Sequence, residues 1–307
     1  MQEKAVTFPT DAKLLNRARE KLVKLAKKHG LELRQGYPRV GKLALMKHQR
    51  YAHAKQFKRA RREQRRLRTF LGRVMRDIER QLKNKPGLAP LFRPMLFLAG
   101  RVHAQERGQR GKKIYSLHAP EVECIGKGKA HKAYEFGVKV SIATTVQPSR
   151  GGQFVLAAKA LPGSPYDGHT LSSVIPHIER TVGNEIKRII ADKGYRGHGM
   201  QAPYAMRVFV SEQRRGVTPA IKRELRRRSA VEPVIGHLKS DHRLDRNFLI
   251  GTEGDAANAV LAAVGYNFAR LLAWLRHLWS VLLASLLAIM LPCSRSHCPV
   301  LAAAITA

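Results

Sequence analysis

Acidic residues are scarce in this chain: 22 Asp+Glu stand against 57 Lys+Arg over 307 residues, a formal net charge of +35. That imbalance exceeds what solubility needs and predicts a polyanionic partner, with nucleic acid the first choice, while leaving the reaction open. Cysteine is nearly absent. Cys124, Cys293 and Cys298 are too few and too oddly spaced for a disulfide framework, so a reducing cytoplasm is expected. Cys293 and Cys298 bracket His297, but a structural zinc site needs four ligands and no second pair accompanies them. Met1 is followed by a polar, charged segment without an apolar signal core, which argues against export. The apolar run from Leu278 to Leu291 is shorter than the ~20 residues of a spanning helix, so it is expected to pack on the body or on a partner. Gly126-Lys127-Gly128-Lys129 lacks the Gly-x-x-x-x-Gly-Lys-Ser/Thr pattern, which excludes P-loop nucleotide hydrolysis.

What is present begins with helices. Lys4 to Phe8 alternate weakly before Pro9 and read as the end of a strand. Thr10 or Asp11 then caps a helix whose apolar positions Leu14, Leu15, Ala18, Leu22, Leu25 and Ala26 recur at helical spacing until Gly30. A second helical block is expected from about Gly41 to Lys83. It contains the run Lys58-Arg59-Ala60-Arg61-Arg62-Glu63-Gln64-Arg65-Arg66-Leu67-Arg68, which must face solvent or phosphate because so many like charges repel one another. Asn84 to Gly111, with Pro86, Pro90 and Pro94, reads as a connector with one short helix.

After Gly111 the period changes to two. Strands are expected over Lys113–Leu117, around Tyr134, Phe136, Val138, Val140 and Ile142, and over Phe154–Leu161. A helix follows Asp167-Gly168-His169-Thr170. Strands over Glu185–Ala191 and Met206–Val210 come next, then a basic helix from Thr218-Pro219 through Arg228. A long final helix is expected over roughly Asp255–Trp279, with Val260, Leu261, Val264, Phe268, Leu271, Leu272 and Leu275 on its apolar face. This order argues an α/β layer with a mixed sheet, compatible with an RNase H-like core flanked by helices.

Two acidic signatures stand out against the basic background. Ile189-Ile190-Ala191 ends in Asp192 and Gly194, the way a buried strand delivers a carboxylate to a sheet rim where a cation can be held. Arg228, Glu232 and Lys239 would fall within about 40° of one another on one continuous helix, but Pro233 fits best in the first turn of a new one, which puts Arg228 on the preceding helix. The bland alternatives are a turn acid at Asp192 and a helix-start acid at Glu232.

With these residues in view, the chain resembles the DDE transposases of bacterial insertion sequences, in the lineage of insertion sequence families four and five. Asp192-Lys193-Gly194-Tyr195 looks like their second acidic motif, and Arg228-x-x-x-Glu232-x-x-x-x-x-x-Lys239 like their third, with Leu225 where the family carries Tyr. Phe8-Pro9-Thr10-Asp11, Tyr115 through Lys129 and Tyr134-Glu135-Phe136-Gly137-Val138-Lys139 resemble one branch of the group, and the combination is more specific than any one match.

The resemblance implies catalytic, metal-binding roles for Asp192 and Glu232 with Mg²⁺ or Mn²⁺. It also implies DNA phosphate contacts by Arg228, Lys239, Lys127, Lys129 and Arg196. Its partners would be terminal inverted repeats and target DNA, with a homo-oligomer joining the ends, in the cytoplasm at the nucleoid and away from membranes. In the family the first acid precedes the Gln-Glu-Lys that here is Gln2-Glu3-Lys4, in an Asp-Thr-Thr-Val stretch. This chain has Met1 where that Val would stand, so the first catalytic Asp is expected to be missing by N-terminal truncation; Asp11 reads as a helix cap and Asp167 as a turn acid. The expected organisation is 1–10 the end of the first core strand, 11–83 a basic helical insertion, 84–111 a linker, 112–279 the RNase H-like core and 280–307 an apolar tail. The expected activity is DNA strand cleavage and transfer, with a non-catalytic DNA-binding fragment that competes with full-length enzyme as the alternative.

Overall fold

The computed structural model describes residues 1–109, 111, 113–128, 130, 132–147, 149, 151–201 and 204–290. Lys129, Cys293, His297 and Cys298 lie outside the described residues.

The first half is helical. α1 (Asp11–Lys28) starts at Thr10, whose hydroxyl accepts from the Lys13 backbone N–H, and stops before Gly30, which takes the left-handed conformation (φ +64°). The helical block expected from about Gly41 to Lys83 consists of two helices, α2 (Pro38–His53) and α3 (Phe57–Asn84). They are separated by a tight reversal at Lys55, itself left-handed, so the two helices double back along each other. The stretch 84–111 also holds more than the short helix expected: α4 (Ala89–Ala104) runs sixteen residues. Pro94 sits inside it, and Phe92, Ala99 and Val102 are buried in one cluster with Leu15, Leu22, Leu71 and Ile78. Arg19 is fully buried there, donating to the Gly36 carbonyl at 2.6 Å and to Asn16 at 3.0 Å. A β-carbon at Gly41 would meet its Nε at 2.9 Å, which is why α2 carries glycine on its buried face. The basic run lies along the other side of α3, where Lys58, Arg59, Arg61, Arg62, Arg65 and Arg66 are exposed as expected.

The second half is mixed helix and sheet, compatible with the α/β expectation, but the sheet is divided. β1 (Gln2–Glu3), β2 (Glu123–Gly126), β3 (Tyr134–Thr144) and β4 (Val155–Leu161) form an antiparallel group around β3. β5 (Ile189–Ala191) and β6 (Val208–Val210) form a separate parallel pair. Both are shorter than the runs Glu185–Ala191 and Met206–Val210 suggested. Among the described residues the expected strand over Lys113–Leu117 has no partner strand. Gln105 replaces one, its side-chain oxygen accepting from the Ile114 N–H at 2.8 Å and its amide donating to the Ile114 carbonyl at 3.2 Å. α5 (Asp167–Val182) packs against both sheets: Val174 and Ile178 pack with Ala157 and Leu161 of β4, and Leu171 and Ile175 with Val208 and Val210 of β6.

Beyond the two residues of β1, the Lys4 N–H still donates to the Phe136 carbonyl of β3 at 2.9 Å, and Lys4 also forms a parallel bridge with Asn247. β1 approaches β3 so closely that a β-carbon at Gly137 would lie 1.9 Å from the Gln2 carbonyl oxygen, so only glycine fits this strand position. Lys4 is buried, its Nζ 2.7 Å from Asp255 Oδ1 and 2.9 Å from Glu121 Oε1. Gln2 and Asn247 side-chain amides also donate to Asp255 Oδ1, and the Gly251 N–H donates to Glu121. Burial pushes the Glu121 carboxyl up, but hydrogen bonds from Lys4, its own N–H and Gly251 outweigh that and hold it below the ordinary carboxylate range.

Three helices complete the chain: α6 (Pro219–Arg227), capped by Thr218, then α7 (Val231–Ser240) and α8 (Gly251–Met290). α8 is longer than the expected Asp255–Trp279, and its packing is the reverse of that expected. The small residues Ala259, Ala262 and Ala263, with Tyr266, are buried beside Val155 and Ala158 of β4, whereas Val260, Leu261, Val264, Phe268, Leu271, Leu272 and Leu275 are exposed. Alanines let the helix lie close to the strand, where Asn267 exchanges hydrogen bonds with the Val155 backbone N–H and carbonyl.

Removing one partner of a buried charge pair leaves the other uncompensated, so Asp255→Ala is expected to destabilise the fold by about 3 kcal/mol in urea unfolding. Because the Glu121 carboxyl is held low in the folded chain, its contribution is complete above its unfolded value and lost as pH falls through the folded one. Glu121→Gln is therefore expected to reduce stability near neutrality and to flatten the loss of stability on acidification.

Candidate active site

β5 carries Asp192 to its C-terminal end. Ala191 is buried and Ile189 packs in the cluster under α5, so the carboxylate leaves the strand where the apolar run stops. Asp192 then caps a short 3₁₀ turn over Lys193–Tyr195, its Oδ1 accepting from the Lys193 N–H at 2.7 Å.

The N-terminus of α5 forms the bed for this turn. Tyr195 is directed inward, its hydroxyl bonded to Thr170 of α5 and Ser141 of β3. Burial, then the charge of Asp167, raises the Tyr195 hydroxyl above its usual pKa, so it stays protonated. Gly194 passes Asp167 so closely that a β-carbon would be 3.3 Å from the carboxylate. Tyr166 donates its hydroxyl to the Arg196 carbonyl at 2.8 Å. Asp167 is the first residue of α5, with Tyr166 as its N-cap, and Lys139 of β3 reaches its carboxylate at 3.1 Å. Sequence reasoning missed this bed of Tyr166, Thr170, Ser141 and Lys139. The only local sign of it was Gly168, where a β-carbon would lie 3.1 Å from the His198 Cα.

Glu232 arrives from the other side. α6 ends at Arg227, Arg228–Ala230 form a 3₁₀ turn, and α7 begins at Val231 with Pro233 in its first turn, the break that Pro233 implied. Across the 36 residues that separate Asp192 from Arg228, one guanidinium joins the two acids: Arg228 Nη1 lies 3.6 Å from Asp192 Oδ1 and Nη2 3.4 Å from Glu232 Oε1. The arginine side chain is largely covered, while the two carboxylates are 60% and 65% exposed and face solvent.

The other basic residues stand differently. Arg196 and Lys193 both pair with Glu212, at 3.3 and 2.9 Å, and Lys193 first among them holds the Glu212 carboxyl low. Lys127 is 3.6 Å from the buried Glu135. Lys239 is half-buried on α7, seven residues on from Glu232, and with Lys127 acts electrostatically on the Met1 amino group, whose pKa is lowered to about 6, chiefly by burial.

Among the described residues no three His, Cys, Asp or Glu side chains converge as a metal site. Asp192 and Glu232 are nevertheless hard oxygen donors open to solvent, the kind of set that suits Mg²⁺, which binds through one or two carboxylates and keeps several waters.

Residues 178–272 match the family model of a transposase DDE domain. Over this range the chain is similar to the DDE transposases of insertion-sequence type. The matched range takes in β5, Asp192, Arg228, Glu232 and Lys239. An uncharacterized protein, ORF8 in the nfe locus of Rhizobium meliloti, is 53% identical over 57 residues, 19% of this chain. The match spans 28% of that relative's length. No solved structure matches the chain.

The bed under the Asp192 turn makes its own prediction. Tyr195→Phe removes a hydroxyl and leaves Thr170 and Ser141 without it, so a loss of about 1 kcal/mol in stability is expected from urea unfolding followed by circular dichroism.

Proposed function

We propose that this chain is the DNA-cleaving and strand-joining part of an insertion-sequence transposase, built on an RNase H-like core. The observation that carries the reading is the convergence of Asp192, from the end of β5, and Glu232, from the first turn of α7, on the Arg228 side chain. It draws further support from the family match over residues 178–272.

In-line displacement at phosphorus needs an activated water or 3′-hydroxyl and relief of charge on the entering and leaving oxygens, which bound Mg²⁺ or Mn²⁺ supplies. Asp192 and Glu232 are the residues that would hold the ion. Arg228 keeps the two carboxylates together without DNA, and its guanidinium is suited to a phosphate oxygen once DNA enters. Lys239, Lys127 and Arg196 extend the cationic surface along the path of the strand, and Lys129 carries the same role on this reading. The substrates are element ends and target DNA, the working form is a homo-oligomer, and the place of action is the nucleoid.

On this reading the chain holds two acids of a set of three. Asp167 does not serve as the third, since Lys139 neutralises it at the foot of the Asp192 turn. The chain as given is therefore expected to bind DNA and to cut it poorly. A second reading, a non-catalytic fragment that competes with full-length transposase for element ends, is favoured by the same incomplete set. Mixing the chain with an active enzyme separates the two: competition lowers transposition, and an unchanged yield argues against it.

The direct test uses duplex DNA carrying the element ends and Mg²⁺. Binding should weaken steeply with salt, and Lys239→Ala should reduce the slope of log K against log salt by about 1 without changing sequence preference. Adding an upstream Asp-Thr-Thr-Val segment should restore nicking, and Asp192→Asn should then lower it on the order of 10²-fold or more. Strong nicking by the chain as given, lost in Asp192→Ala, would show that two acids suffice. Failure to bind duplex DNA at low salt would sink the whole reading.

A further inference from the structure

α8 leaves an apolar stripe facing outward that the DNA chemistry does not use. Leu261, Val264, Phe268, Leu271, Leu275, Leu278 and Leu282 follow one another at alternating three- and four-residue steps, and Ser285 and Ile289 continue the same count. The apolar members are between 37% and 79% exposed. Over Leu261 to Leu278 this is a heptad seam, about 26 Å of helix at 1.5 Å per residue; beyond it Val281, Leu283 and Leu287, off the seam, are exposed as well, so the apolar surface widens toward the helix end. A straight α-helix drifts about 20° per heptad from such a repeat, so a stripe that keeps the 3.5-residue period is matched to a helix winding around it.

We propose that this seam is a self-association surface, occupied by the α8 helix of a second copy of the chain. Three observations select that occupant. Knobs-into-holes packing needs a facing helix with the same repeat; a second copy brings the identical one, and the opposite side of this α8 is already taken by β4 through Ala259, Ala262, Ala263 and Tyr266. The exposed area of the seam residues, on the order of 700 Å² per copy, approaches the roughly 800 Å² per partner of a standard stable interface. The charges also segregate: Arg270, Arg276 and His277 fall at heptad positions off the seam, so two helices meet along it without bringing like charges together.

A lipid bilayer is the rival occupant, because the helix is long and apolar enough to cross one. A bilayer places no premium on a 3-4 repeat, and a span of ~20 residues at the apolar end of α8 would have to accept Arg276, which a helix pair leaves in water. Leu272, Trp279 and Leu286, flanking the seam where a two-stranded coil carries charge, are apolar and exposed. They broaden the buried strip and take the place of the ion pairs that this cationic chain has few acids to make.

The test uses the full chain, nuclease-treated and in detergent-free buffer at high salt, with mass read by sedimentation equilibrium. The wild type is expected at twice the single-chain mass or a higher multiple. Leu271→Glu/Leu278→Glu should shift it to the single-chain mass with an unchanged circular dichroism spectrum over the folded core, since both side chains are exposed. Ala273→Glu, on the opposite side of the same helix and also exposed, should leave the mass of the wild type. A wild type at single-chain mass overturns the proposal, as does a Leu271→Glu/Leu278→Glu variant that remains associated. Flotation of the wild type with neutral phosphatidylcholine vesicles, lost in that variant, would assign the seam to a bilayer instead. Neither readout involves DNA, so this inference and the proposed activity fail separately.

Discussion

The constraint on which the second half of the molecule depends is the burial of one ammonium group. Lys4 Nζ sits between Asp255 and Glu121, and the amides of Gln2 and Asn247 occupy the same aspartate oxygen. Desolvating such a group costs several kcal/mol unless every charge is paired, so the two carboxylates are obligatory partners. The geometric consequence is that β1, the loop before β2 and the start of α8 are pinned at one point. Hydrogen bonds from Glu3, Ala5 and Asn247 then clamp the 244–247 backbone beside β1. Glu232 lies on α7 and Asp192 beyond α5, so the two halves of the site are built on frames that meet through β3, β4 and α8, with this network at the hub.

Around the site the balance of forces differs. Asp192 and Glu232 are exposed, so their ion pairs with Arg228 contribute little to stability, and their geometry comes from the elements that carry them. Rigidity is supplied one layer down, where Tyr195, Gly194 and Tyr166 fasten the Asp192 turn to α5. Val234 and Leu238 seat α7 in the cluster with β4 and α8. On the proposed function, two carboxylates that solvent can reach, each on a buried support, would exchange a guanidinium for another cation. In a chain of +35 the surrounding field favours whatever polyanion brings that cation in.

The features that could be read from sequence are those whose cause is local. Thr10 and Thr218 cap helices because a hydroxyl three residues ahead of an N–H suffices, and Pro233 restarts a helix because its ring demands it. The Asp192 strand end and the break before Glu232 were legible for the same reason. What sequence could not supply were choices made by distant partners. Gln105 converts an expected strand into a side-chain-satisfied loop. Within β3 the alternation located the strand but not its faces: Tyr134 is exposed and Glu135 buried, since Lys127 and Lys132 reach in to pair with the glutamate. The Arg228 bridge itself links residues 36 apart, and no periodicity encodes it.

The reversed packing of α8 follows from the same distinction and explains why the chain has two apolar faces to place. Leucine spacing marks a helix face as apolar but does not say against what, and here the face toward β4 is made by alanines, Tyr266 and a hydrogen-bonding Asn267. The leucines, with Phe268 and Trp279, are turned outward along the helix. A surface of that length is unfavourable in water, and electrostatic repulsion between two copies this cationic is unfavourable as well. The two penalties offset in opposite directions: apolar contact along a seam with the charges set aside draws copies together, while bound polyanion screens what would push them apart. Association through α8 and occupation of the basic surfaces by DNA are thus expected to reinforce each other, though neither requires the other to exist.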